Sequence, residues 1–372
     1  MLTKLKNFDL GLFIGPIILC AIGVSVIYSL VYAGGDATLA FKQGLCALLG
    51  LGAMFVLAFS DYRSFKNVWW IFYFVALLLL IIVDMMGATA KGATRWIDLG
   101  FFRLQPSEVA KISLIFALSS FFYKRVGKLN IKDYLWSLVL MVPPLLLILK
   151  EPDLGTALVV AFIYTILLVI SKPTVKQYAV IFIILALFLG SFILSVNNVA
   201  PFGKLLKTYQ RNRVMTFINP QNDPYGNGYN VKQAEISIGS GGLLGQGLGQ
   251  GSQSQLKFLP EPHTDFIFAG TSEALGFLGS VLIVAIFLFM IIRIFSIASY
   301  SKDYYGLFLA CGIGAMFLFQ TAVNIGMNLG LLPVTGIPLP FMSYGGTSLV
   351  ISFSALGLIQ SIYQKEKQKF FK

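Results

Sequence analysis

Histidine occurs once in the 372 residues and cysteine three times. A lone histidine excludes a multi-histidine metal cluster. Cys20, Cys46 and Cys311 each sit inside an apolar run and lack metal-ligand spacing. They read as small core residues, and neither a disulfide framework nor a zinc site is implied. Charge is scarce as well: 12% of residues are charged against 57% hydrophobic, with a mean hydropathy of +0.79. That balance excludes a soluble domain and is what a polytopic membrane protein requires.

The few charges are mostly positive, for a net +12. Their placement argues for topology, not for a nucleic-acid partner. Lys4 and Lys6 precede the first apolar run, Arg63 and Lys66 follow the second, and Lys124, Arg125, Lys128 and Lys132 follow the fourth. Lys172 and Lys176 follow the sixth, Arg293 and Lys302 the eighth, and Lys365, Lys367, Lys369 and Lys372 close the chain. Every second connection is basic, the positive-inside pattern with both termini in the cytoplasm. Apolar runs of spanning length fall near 10–33, 41–60, 67–86, 106–123, 134–149, 154–171, 176–196, 263–293, 304–330 and 341–363. They predict a single all-α polytopic membrane domain over 1–372, with ten transmembrane helices. The first run is too long for a signal-peptide core and reads as a retained anchor. The sixth and seventh hold no charge between their flanking lysines and are expected to face lipid.

Two connections on the outer side differ from the rest. One, about 84–105, carries Lys91, Arg95 and Asp98. The other, 197–262, is a large extracytoplasmic loop between helices 7 and 8, with Arg211, Arg213 and a glycine-rich run over 239–251. A loop of that length in a compact protein is functional or disordered. The glycine run lacks the βαβ context of a dinucleotide fingerprint. It reads as a tight-turning segment packed close to neighbouring helices, with a phosphate-cradling nest as the alternative.

Acids at the edges of apolar runs are costly and call for a reason. Asp265 stands where the long loop meets the eighth run, either capping that helix or facing the loop as a functional carboxylate. Glu108 and Lys111 are three apart, so they share one helix face. They form either a buried pair that fixes packing or, with Arg95 and Lys91, a cationic mouth for an anionic substrate. Asp153 is a helix N-cap, an ion-pair partner of Lys111 or Arg95, or a cation ligand. His263 reads as an interface residue. The segment 332–346 has three prolines and three glycines beside the last span; irregular backbone at that depth must line protein or a polar cavity.

The chain resembles the SEDS family (shape, elongation, division and sporulation) of membrane peptidoglycan glycosyltransferases. The motifs that carry the resemblance are Arg95-Trp96-Ile97-Asp98-Leu99-Gly100, Gln105-Pro106-Ser107-Glu108 and Glu151-Pro152-Asp153-Leu154-Gly155-Thr156. Leu259-Pro260-Glu261-Pro262-His263-Thr264-Asp265-Phe266 and Pro338-Leu339-Pro340-Phe341-Met342-Ser343-Tyr344-Gly345-Gly346 complete the set in family order. The short termini, Gly228-Tyr229-Asn230 and Pro333-Val334-Thr335-Gly336 look more like the RodA branch than the division branch. Two departures stand out: Glu273-Ala274 where the family has two glutamates, and Gln246 where lysine is common.

The resemblance implies polymerisation of lipid II into a β-1,4-linked glycan strand on the outer face of the cytoplasmic membrane, during elongation. Asp265 matches the family's essential aspartate, and a sugar hydroxyl needs a general base. The pyrophosphate leaving group needs charge neutralisation more than a proton. Lys111 and Arg95, assisted by Lys91 or Arg213, are the cations for it. One carboxylate would then suffice where most glycosidases need two, and attack opposite the pyrophosphate inverts the anomeric centre. Glu108 and Asp153 either hold Lys111 in place or help bind a divalent cation such as Mg or Mn. The implied partner is a class B penicillin-binding protein. The rival readings are a lipid II flippase and a scaffold that recruits other wall enzymes.

Overall fold

The computed structural model describes residues 8–32, 37–90, 93–98, 100, 103–174, 177–179, 190, 194–196, 199, 208–219, 223, 226–256 and 258–370. Helices α1 (Leu10–Tyr32), α2 (Thr38–Phe59) and α3 (Phe65–Met86) lead to a small antiparallel sheet. Its strands β1 (Ala88–Ala90), β2 (Ala93–Asp98) and β3 (Arg103–Leu104) lie in that order, with Ile97 opposite Leu104. Then come α4 (Pro106–Phe122), α5 (Ile131–Lys150) and α6 (Leu154–Ile170). In the region of the expected long loop stand α7 (Thr208–Ile218), α8 (Asn227–Ser240) and the one-turn α9 (Ser252–Gln255). The chain closes with α10 (Ile267–Tyr300), α11 (Tyr304–Asn328) and α12 (Gly346–Phe370).

Among the described residues, seven helices are long and apolar enough to cross a membrane: α1, α2, α3, α5, α10, α11 and α12. The fourth and sixth expected spans are the 17-residue helices α4 and α6. The seventh expected span, 176–196, lies mostly outside the described residues, as does much of 197–226. The ten-helix count and the position of the long loop therefore stay expectations.

Local chemistry sets the boundaries. Pro106 opens α4 at a position where its missing N–H is harmless. Asn130 and Asp133 form a reciprocal capping box at the start of α5. α12 begins at residue 346 instead of the expected 341, because Pro338, Pro340 and a positive φ of 65° at Phe341 keep the chain in turns.

The core is built around α11, which is almost wholly enclosed and packs against α4, α6 and α10. Close helix contacts use small residues, as expected where lipid supplies no hydrophobic drive between helices. A Cβ on Gly50 of α2 would stand 2.8 Å from the Phe353 ring of α12, and one on Gly357 would stand 2.6 Å from the Met54 carbonyl oxygen. α6 corrects one expectation. Absence of charge suggested a lipid-facing helix, yet it buries Ala157, Val160, Ile163 and Leu167 and packs on α11 and α5. Uncharged sequence is compatible with either surface, and its Tyr164 hydroxyl finds Ser137 at 2.9 Å.

α10 is one helix in outline and two in backbone. Gly276 adopts φ 69° and ψ −168°, which breaks the ladder. The glycine run fills the break. Phe277 and Leu278 donate to the carbonyls of Gly242 and Leu243 at 2.8 and 3.2 Å, while Gln246 and Gly247 donate to those of Glu273 and Ala274 at 2.9 and 3.0 Å. This close approach demands glycine. A Cβ on Gly245 would lie 2.2 Å from the Ala274 oxygen, and one on Gly276 would lie 2.3 Å from the Gly245 nitrogen. The packing role expected of the run is the one observed.

Candidate active site at the Asp265 turn

Asp265 lies in a turn two residues before α10 begins, so it is not the helix N-cap; that position belongs to Phe266. Its side chain is half-buried. The backbone around it is clamped from two sides. Asn324 and Asn328 of α11 donate from Nδ2 to the Asp265 carbonyl at 3.2 and 3.1 Å. From the proline-rich segment, Ser343 Oγ donates to the Thr264 carbonyl at 2.7 Å and the Tyr344 N–H to the His263 carbonyl at 2.8 Å. Asn324 also holds that segment, through the Ile337 carbonyl at 2.8 Å. The segment stands beside the acid itself: a Cβ on Gly336 would stand 3.6 Å from Asp265 Oδ2.

The segment is a hub for the other motifs. Arg213 of α7 donates from Nη1 to the Thr335 carbonyl at 2.9 Å. Gly155, at the start of α6, approaches the same carbonyl so closely that a Cβ there would lie 2.9 Å from it. At the far end, Thr347 Oγ1 accepts from the Gln105 N–H at 3.1 Å and donates to the Arg103 carbonyl at 2.9 Å. Arg213, Asp153 and Asp265 thus belong to one connected region. A cavity of about 60 Å³ beside it is lined by Arg213, Thr216, Glu235 and Val334, among others.

Asp153 is the N-cap of α6: its carboxylate takes the Thr156 N–H at 3.1 Å and the Thr156 hydroxyl at 2.9 Å. Gln105 Nε2 at 3.3 Å and Ser107 Oγ at 3.5 Å complete its shell. Lys111 and Glu108 form a 2.8 Å ion pair, with side-chain exposures of 1% and 2%. The ammonium is closed in on its partner. Arg95 donates from Nε to the Glu151 carbonyl at 3.0 Å and from Nη2 to the Pro152 carbonyl. It satisfies carbonyls left open where α5 ends. Lys91 lies outside the described residues. No group of three or more His, Cys, Asp or Glu side chains arranged to hold a metal ion occurs among the described residues.

Three polar features have partners or surroundings that the sequence alone does not reveal. Asn324 and Asn328 are one; two amides four apart on an apolar helix were the available signal. Glu273 is another, fully buried on α10 and accepting from the N–H groups of Gln253 and Ser254 at 2.7 and 3.1 Å and from Ser237 Oγ at 3.2 Å. It caps α9 and ties the glycine loop to the helix that follows the Asp265 turn. Gln246 serves the same loop by joining the Ser240 carbonyl to the Ser252 N–H. The third is Glu151, 2% exposed, with both carboxylate oxygens lacking a hydrogen-bond partner. Burial pushes its carboxyl up from 4.5 to about 8; Asp153 adds repulsion, Arg95 offsets part of it, and Asp84 adds a little more.

With this geometry in view, comparison decides the family. A family model described as cell cycle protein, covering FtsW, RodA and SpoVE, matches residues 8–368. The chain belongs to this family. Among the family's members, the Escherichia coli K12 peptidoglycan glycosyltransferase MrdB is 39% identical over 319 residues, covering 86% of this chain and 84% of its own. A chain solved in a study of polymerization and crosslinking by a peptidoglycan synthase complex superposes with a TM-score of 0.81 at 30% identity, covering 97% of this chain and 99% of that one. The Thermus thermophilus rod shape determining protein RodA superposes at 0.69 with 27% identity, covering 96% and 97%. This SEDS protein is, with its family, a multi-pass membrane glycosyltransferase.

Proposed function

We propose that this protein polymerises lipid II into β-1,4-linked glycan strands on the outer face of the cytoplasmic membrane, during cell elongation, with Asp265 as general base. The observation that carries the reading is the Asp265 turn. Its backbone is held by Asn324, Asn328 and Ser343 while its carboxylate stays half-buried beside Gly336. A fixed backbone with an accessible acid is what proton abstraction from a positioned sugar hydroxyl needs. The names of MrdB and of the RodA structure support the activity and the elongation role.

Among the described candidate cations, Arg213 bonds the Thr335 carbonyl of the segment beside Asp265, and we assign it contact with the pyrophosphate leaving group. Lys111 and Arg95 act from behind as positioning residues, the first held by Glu108 and the second by the α5–α6 turn. Lys91 stays a candidate for the same anion. Both termini are placed in the cytoplasm, which puts Asp265 outside. The synthase-complex chain supports a class B penicillin-binding protein as partner.

Polymer formation from purified lipid II tests the proposal, with and without such a partner carrying an inactive transpeptidase. Asp265→Asn should lower the rate by about a hundred- to ten-thousandfold while the protein remains folded. Near-normal polymer from the variant would remove Asp265 from the role. No polymer from folded wild-type protein, alone or partnered, would shift the reading to a flippase.

A further inference from the structure

The end of the bundle opposite Asp265 holds a second cavity, of about 240 Å³, between the last turns of α10 and α12. Arg293, Ser296, Tyr300, Tyr363 and Lys367 line it, over a floor at the buried Ile297. The lining carries two cations, Arg293 and Lys367, and one acid, Glu366. The Arg293 guanidinium and the Lys367 ammonium each lie 5.6 Å from the centre of the Tyr363 ring, flanking one aromatic side chain. Arg293 gives its Nε–H to Asp9 at 2.5 Å. A guanidinium has five N–H donors, so it can hold that acid and a second anion together. The acid in the lining, Glu366, is tied back into the bundle. Its Oε2 takes the Lys302 N–H at 3.3 Å, and its Oε1 lies 3.9 Å from Arg63 Nη2.

The surroundings point to a lipid. Tyr300 is 66% exposed, and tyrosines with a polar tip and an apolar body gather at membrane–water boundaries. From the cavity, Ile292, Phe289 and Leu288 continue along α10 as an exposed apolar track. The volume falls below the roughly 300 Å³ at which pockets for drug-sized ligands begin, so it suits a headgroup and not a whole lipid.

We infer that this cavity binds the phosphodiester headgroup of an anionic phospholipid, with the acyl chains laid along the exposed face of α10. Arg293 and Lys367 neutralise the phosphate, and Ser296 and the tyrosine hydroxyls supply hydrogen bonds. Basic pockets between membrane helices take anionic lipids by this chemistry.

The test is native mass spectrometry of the full-length protein in detergent, with phosphatidylglycerol and phosphatidylcholine added at equal concentration. Wild type should retain phosphatidylglycerol preferentially. Lys367→Gln should weaken that retention by about fivefold, the worth of one basic side chain near a lipid surface. Ser296→Phe, which fills the cavity, should abolish it. Equal retention of the two lipids overturns the inference, as does unchanged retention in both variants. Displacement of phosphatidylglycerol by inorganic phosphate at the same concentration also overturns it, since the site would then take any small anion. If Ser296→Phe fails to fold, Lys367→Gln decides.

Discussion

Glu151 should make the protein less stable as pH rises, and Glu151→Gln should remove that dependence. The side chain is 2% exposed, neither oxygen has a partner, and its carboxyl is pushed up from 4.5 to about 8. Asp153 and Asp84 raise it by repulsion, and Arg95 is the opposing charge. Below pH 4.5 the group is protonated whether the chain is folded or not, and it contributes nothing. Between 4.5 and 8 the folded state keeps a proton that the unfolded state has released, so stability falls with rising pH. Above 8 both states are ionised and the loss is complete. At about 1.4 kcal/mol for each factor of ten in proton affinity, the loss is about 3 kcal/mol by pH 7 and approaches 5 kcal/mol at pH 9. Glutamine has the same shape and does not titrate. Whatever constant offset the amide brings, the stability of Glu151→Gln relative to wild type should improve steadily from pH 5 to pH 9. Thermal melting in one detergent across that range reads this directly, with the relative midpoint moving by several degrees. A difference between variant and wild type that stays flat with pH would show that Glu151 titrates like an exposed carboxylate, and the reasoning would fail.

Two further perturbations follow from the packing. Lys111→Met alone should destabilise the fold by about 3–5 kcal/mol, because it strands a buried carboxylate, while adding Glu108→Gln should recover much of the loss; a double variant as unstable as the single would show that the pair is not the source. Gly276→Ala should cost about 1–3 kcal/mol or more from a strained φ and from a methyl 2.3 Å from the Gly245 nitrogen, read as a lower melting midpoint with faster proteolysis of 241–256. A variant that melts like wild type would mean the break does not need glycine.

The described helices were legible because hydrocarbon imposes long apolar runs, and most of their limits fall within a few residues of those expected. The exceptions have local causes. The eighth run was read as starting at 263, but the residues around Asp265 form a turn whose backbone bonds go to Asn324, Asn328 and Ser343. Such contacts join positions about 60 to 80 apart and leave no periodic trace. The acids were also legible as costly residues: the Asp153 cap and the Glu108–Lys111 pair are both among the expected arrangements, whereas the carbonyl partners of Arg95 are not. Asp153 caps α6 and Arg95 serves backbone carbonyls, because groups near helix ends satisfy the nearest open donors and acceptors first. Glu151 was visible only as part of a motif; that both its oxygens lack partners is a property of the packed interior.

The break at Gly276 is also a depth gauge. An unbroken helix of 34 residues would be about 51 Å long, well beyond the roughly 30 Å of a hydrocarbon core. Beyond the break, residues 277–300 measure about 36 Å, a span with modest tilt. Exposure changes sides at the same point: residues 266–274 are buried, whereas Phe277, Leu278 and Leu282 are each more than half exposed. The exposed apolar face of α10 therefore starts at the break, and Asp265 lies on the other side of it. The proposed base therefore belongs to the enclosed half of the molecule, where packed protein and not lipid surrounds the chain.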